Sequence, residues 1–173
     1  MTAVLLFLSI RAAHVLVAAL WIGSTVFSAA LLMPALEGSG PAAGVLMGRL
    51  NRRGFPVYMS IVGATTMLSG VYLLWHFTGG FDSSVMTSRE GLVFGAGGIA
   101  GILAGIIGGA VVGRSARALS HLLDGQITEA DDHVHRALLS RAATLRNRTK
   151  IGTRAVIVLQ MIALVFMSVG HYV

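Results

Sequence analysis

The stretch RAAHVLVAALWIGSTVFSAALLMP, residues 11–34, decides the fold. Between Ala12 and Met33 it carries no Asp, Glu, Lys or Arg. Its length reaches the roughly 20 apolar residues that a helix needs to cross the hydrocarbon of a bilayer. Backbone amides have no water to bond there and must pair within their own segment, so such a run folds as a helix. Pro34 follows and predicts the end of that helix, because its ring clashes with the preceding turn.

Working outward, the apolar lead AVLLFLSI precedes the stretch, and three more runs of similar character follow. The predicted spans are residues 12–33, 55–77, 91–113 and 153–173. Ser28-Ala29-Ala30 resembles a signal-peptide cleavage site, but the run has no basic n-region and is too long for an h-region, so it reads as a retained span. The chain as a whole agrees: its 173 residues are 55% hydrophobic and 12% charged, with a mean hydropathy of +0.79. That balance excludes a water-soluble domain. The absence of cysteine removes disulfides, thiolate metal sites and covalent haem attachment. The net charge of +6 points to lipid head groups and membrane orientation rather than to nucleic acid.

Four spans place loops 34–54 and 114–152 on one side, and loop 78–90 with both termini on the other. Eleven basic residues, Arg49 to Arg154, flank the first side, and only Arg11 and Arg89 lie elsewhere. The positive-inside rule makes that side cytoplasmic and the termini external. The expectation is an all-α, single-domain, four-helix transmembrane bundle, up-down-up-down, in the inner (plasma) membrane of a bacterium. Segment 114–152 keeps helical periodicity around a break at Asp124-Gly125-Gln126, with Thr128 and Asp131 as a helix start. Helices 3 and 4 are therefore expected to extend as a cytoplasmic hairpin.

The predicted spans hold no Asp, Glu or Lys, which argues against an ion-coupled transporter. Their edges hold Arg11, His14, His76 and His171, and the topology brings all three histidines to the outer face. Neutral imidazoles from two helices can ligate the iron of a haem b without cysteine. His14 is expected to pair with His76 or His171, with Arg11, one turn nearer water, as a propionate partner. Interfacial histidines also commonly rest in wet head groups.

Helix 3 repeats glycine at 97, 101, 105, 109 and 113, a ridge for close backbone approach. It suits tight packing within the bundle first, a homodimer seam second and a flat porphyrin-facing wall third. Met59, Met67, Met161 and Met167 offer thioethers, which suit Cu(I), but most of them read as filler. Asp131-Asp132-His133-Val134-His135 is metal-like in composition alone, since His133 and His135 lie on opposite faces of a helix. Gln160, mid-span, is expected to hydrogen-bond across the bundle.

The run from Arg11 through His14, Trp21 and Gly23, followed by Met33-Pro34-Ala35-Leu36, resembles the opening helix of copper-resistance-D-type membrane proteins and their small relatives. It is also similar to helix one of the membrane protoporphyrinogen oxidase family. The resemblance covers about 25 residues. It implies a four-helix unit in which His14 ligates haem b or contacts a metal, with Trp21 packed beside the cofactor. The oxidase family draws its second ligand from a lysine in a later span, and no predicted span here contains lysine.

The reading that follows is a haem b-binding membrane protein with a redox, electron-transfer role near the outer face, working with a redox partner or quinone. The alternatives are copper handling through His14, Met167 and His171, and a cofactor-free assembly protein built on the glycine ridge.

Overall fold

The computed structural model describes residues 2–37, 39, 41–124 and 132–172. It is helical throughout, with no strand among the described residues. In order the helices are α1 (Thr2–Phe27), α2 (Met33–Glu37), α3 (Pro41–Arg52), α4 (Phe55–Phe77), α5 (Ser83–Met86), α6 (Arg89–Ile107), α7 (Arg114–Asp124) and α8 (Asp132–Val169). Wide π-helical turns, Ser28–Leu32 and Gly108–Gly113, join α1 to α2 and α6 to α7, and a 3-10 turn, Gly170–Tyr172, follows α8.

Four helical stretches are long and apolar enough to cross a membrane: Val4–Glu37, Phe55–Phe77, Arg89–Leu119 and Arg136–Val169. Their side chains behave as lipid requires. Leu68 is 73% exposed, Leu16 67% and Ile99 62%, a density of bare aliphatic surface that water would not tolerate.

The second span begins and ends where the sequence places it. Gly54, at φ +80°, turns the chain out of α3, and Pro56 sits in the first turn of α4, where its missing N–H costs nothing. At the far end the buried Thr78 hydroxyl bonds the Leu74 carbonyl at 2.8 Å and accepts the Phe81 amide at 2.9 Å, closing the helix.

The other three spans depart from expectation at their ends. The first helix starts at Thr2 and does not stop at Pro34. The π-helical turn before it shifts the hydrogen-bond register, with Met33 N–H bonding Ser28 C=O, and the chain passes Pro34 without the usual clash. The third helix likewise runs beyond Gly113 through its glycine-rich π turn into α7. The fourth is part of a 38-residue helix that ends at Val169 rather than residue 173. Loop 34–54 is itself largely helical, as α3. The expected break at Asp124-Gly125-Gln126 and the helix start at Thr128 and Asp131 fall at or in residues 125–131, outside the described residues. So do the side chains of His133 and His135.

The bundle consists of two closely packed pairs, α1 with α4 and α6 with α8, which touch each other less. Along α1 the contacts with α4 repeat every seven residues. Phe7 meets His76, His14 meets Ser69, and Trp21 lies over Gly63. Each step of seven forward on α1 is matched by seven and then six back on α4, the near-heptad spacing of an antiparallel pair. Trp21, Val62, Ala104 and Val156 form the buried core where the pairs meet.

In α6 and in the turn after α8 the glycines admit the partner's side chains. A Cβ at Gly97 would stand 3.2 Å from Phe166, and one at Gly170 2.7 Å from the Phe94 ring. The four-residue glycine ridge does not act as one surface: Gly97 receives α8, Gly105 receives Met67 of α4, and Gly101 and Gly109 meet nothing within 4 Å.

Candidate functional site

His14 is the one histidine whose described side chain is buried inside the bundle, 8% exposed. Its Nδ1 lies 2.8 Å from Ser69 Oγ. That hydroxyl has a single proton and a carbonyl to give it to, Thr65 O at 2.6 Å, so it serves the imidazole as acceptor. This network assigns the proton to Nδ1 and leaves Nε2 with a free lone pair. A histidine held in this way is prepared as a metal or iron ligand, since a second-shell acceptor on one nitrogen fixes the tautomer that presents the other. The ring packs on Gly70, where a Cβ would stand 3.1 Å from Cε1. Any larger residue would displace it.

His14 lines a cavity of about 170 Å³ between the two helix pairs. The walls are apolar, and all four spans contribute to them. Trp21, two turns along α1 from His14, lies on the same wall. Across from it Gly95, Gly98 and Gly101 of α6 form a side-chain-free strip. A Cβ at Gly101 would meet nothing, and Cβ atoms at Gly98 and Gly95 would meet only Leu74 at 3.9 Å and Met86 at 4.0 Å. Three thioethers, Met67, Met86 and Met167, complete the lining. Gln160 closes the deep end. It is 1% exposed, its Nε2 donates to Thr25 Oγ1 at 3.4 Å, as a cross-bundle bond, and its Oε1 has no protein partner.

The other expected site residues fall differently. His76 does not line this cavity. Its ring stacks on Phe7 with centroids 4.5 Å apart and lies 6.3 Å from Tyr72. It stands seven residues beyond Ser69 on α4, roughly 10 Å further along the seam than His14. Two imidazoles on one iron must converge at a single depth, so the expected pairing of His14 with His76 does not form in this arrangement. The side chain of His171 is outside the described residues, but its register is informative. The Thr25–Gln160 bond sets α1 against α8, and eleven residues from that contact toward the chain termini lie His14 on one helix and position 171 on the other. Arg11 is exposed, one turn from His14 toward the same end. Among the described residues no three His, Cys, Asp or Glu gather as a metal cluster.

Sequence reading missed Ser69, Gly70 and Met86. The first two carry a signal in retrospect. His14 and Trp21 stand seven apart on α1, Gly63 and Gly70 stand seven apart on α4, and aligning the two puts a glycine under each of these two rings. No family model, curated protein or solved structure matches the chain.

Proposed function

We propose that the protein is a haem b-binding membrane protein with an electron-transfer role near the outer face of a bacterial inner membrane. The observation that carries this reading is the imidazole of His14, its Nδ1 bonded to Ser69 and its side chain in the wall of an apolar, glycine-lined cavity between helices. The residues fit one axial ligand as they stand. Register supports His171 as the second, and His76 is not part of the set. When bound, haem supplies a one-electron iron couple. The chain's own contributions are the oriented imidazole, a wall at Gly95, Gly98 and Gly101 flat enough for a planar group, and exclusion of water by the surrounding aliphatic residues. Arg11, one turn nearer the surface, suits a propionate.

At 170 Å³ the cavity is smaller than the roughly 300–1,000 Å³ of sites that hold drug-sized ligands. A macrocycle would therefore enter by parting the two helix pairs. The interface between the pairs is less extensive than the seam within either one.

The basic-residue distribution supports the orientation: termini outside, loops 34–54 and 114–152 inside, spans alternating up and down, and α7 with the first half of α8 projecting as a cytoplasmic hairpin.

One observation favours a second reading, copper handling. Met67, Met86 and Met167 share the cavity with His14, and an imidazole with thioethers is a soft ligand set suited to Cu(I) at a size the cavity already has.

The test is a visible spectrum of protein purified in detergent after expression with ample haem, oxidised and dithionite-reduced, for wild type and His14→Ala. Haem ligated by His14 gives sharp reduced bands that the variant loses. A colourless wild type refutes the haem reading. Stoichiometric copper by elemental analysis, with nitrogen and sulfur neighbours in X-ray absorption, would then establish the second.

A further inference from the structure

On the lipid-facing side of α4, away from the cavity, lies a groove of about 320 Å³ lined by Pro56, Val57, Ser60, Ile61, Ala64 and Arg117. It shares no residue with the His14 cavity. Its chemistry is two-part. Val57, Ile61 and Ala64 form an apolar stripe along one face of α4, with Val57 and Ile61 about 60% exposed, and Arg117 of α7 adds a guanidinium to the lining. Side chains on a helix lean toward its N-terminus. Arg117 does so, its Nη2 coming within 4.0 Å of where a Cβ on Gly113 would stand. The charge is thus drawn back along α7 toward the membrane-spanning part of the chain.

Among the described residues the one ion pair is Lys150–Glu37, so no described carboxylate neutralises Arg117. A cation in that position, beside an aliphatic stripe and at the end of the bundle where most basic residues gather, has the form of a phospholipid site. The guanidinium fork matches a phosphate bidentately, and the stripe matches the first segment of an acyl chain.

We infer that this groove holds an anionic phospholipid of the cytoplasmic leaflet, with its phosphate on Arg117 and an acyl chain along Val57, Ile61 and Ala64. Anionic head groups are favoured because Arg117 is the one cation in the groove's lining and the phosphate of a zwitterionic lipid is already balanced by its own ammonium group.

Native mass spectrometry of the full chain in detergent tests this, with phosphatidylglycerol and phosphatidylcholine of identical acyl chains as probes. Wild type should bind the former in preference. Arg117→Gln should weaken phosphatidylglycerol about fivefold, the factor set by one basic residue against an anionic head group, and remove the preference, while Arg141→Gln, exposed on α8, should leave both unchanged. Ala64→Phe, which fills the stripe, should weaken both lipids while Arg117 remains. Equal phosphatidylglycerol binding by wild type and Arg117→Gln overturns the inference. So does full displacement of the lipid by inorganic phosphate, which would make the groove a free-anion site.

Discussion

The two helix pairs solve the same packing problem in different ways. In α6 and α8, small residues let apolar side chains close onto backbone: Gly97 under Phe166, Gly170 under Phe94 and Gly152 under Val112. In α1 and α4 the glycines instead receive rings that carry polar atoms, Gly63 the indole of Trp21 and Gly70 the imidazole of His14. The same pair carries the His14–Ser69 and Ser24–Tyr58 bonds. Without a hydrophobic force between helices in lipid, both pairs rely on van der Waals fit. The α1/α4 pair has given part of that fit to a titratable group, which is costly inside a membrane unless it is used. On the proposed reading α1/α4 is the pair that orients the His14 imidazole, while α6/α8 supplies the glycine wall and Met167 to the cavity where the pairs meet.

Substitution at Gly70 should have the largest effect. The His14 ring stands 3.1 Å from the point that a Cβ would occupy there, so Gly70→Leu should push the imidazole out of the cavity and abolish cofactor absorbance. The protein should still be extracted folded, because the α6/α8 contacts are untouched. Retention of a wild-type spectrum in Gly70→Leu would break the assignment of α1/α4 as the pair that orients the ligand imidazole. Ser69→Ala is the milder change at the same place. It removes the acceptor that fixes the tautomer, and loss of such an outer partner lowers metal-centre affinity by about 10–100-fold. Titration of the apoprotein with haem measures it.

The opposite result is expected at an α6/α8 contact outside the cavity. A Cβ at Gly152 would stand 3.0 Å from Val112 Cγ2 and 3.3 Å from Val111 Cγ1. Gly152→Ala should therefore overpack α6/α8 and cost roughly 1–3 kcal/mol of stability, read as a lower thermal midpoint in detergent. The spectrum of the surviving folded protein should be unchanged. A spectral shift with intact stability would mean that the two pairs do not divide the work as described.

The same division explains what was legible in the sequence. Spans were legible because lipid imposes length and apolarity on every helix that crosses it, and Phe55–Phe77 was fixed at both ends by Gly54, Pro56 and the Thr78-Gly79-Gly80 exit. The first helix was misjudged at its end because Pro34 stops an α-helix, whereas a π turn ahead of it removes the conflict, and no local pattern announces that turn. His14 and Trp21 were legible as a buried polar residue and a ring on one face. His76 was misplaced because distance from a span's end gives depth only coarsely, whereas the seven-residue register of α1 against α4 puts it two turns from His14. Ser69 and Gly70 became visible only once that register was known. The glycine ridge was legible as small residues but not as three different surfaces, since which neighbour each glycine faces is a property of the bundle.

The connection between the pairs gives the smallest and most local prediction. If a macrocycle enters by parting α4 from α6, the segment from Thr78 to Ser88 is the tether that limits the opening, and its own order depends on Asp82. That carboxylate caps α5, accepting the Ser84 amide at 2.8 Å and the Ser84 hydroxyl. These bonds hold its pKa below the ordinary carboxylate value of 3.8, the Ser84 hydroxyl being the largest cause. Because the folded pKa is depressed, the cap's contribution is complete above that ordinary value and is lost as pH falls through the lower, folded one. Amide exchange at Ser84 and Val85, corrected for intrinsic rates, should show protection that is constant above pH 3.8 and declines below it. Asp82→Asn keeps a capping oxygen without the titration, so its protection should not vary with pH. If wild type and variant follow the same curve, the tether is held by the chain's turns and not by this carboxylate, and acid would leave the spacing of the two pairs unaffected.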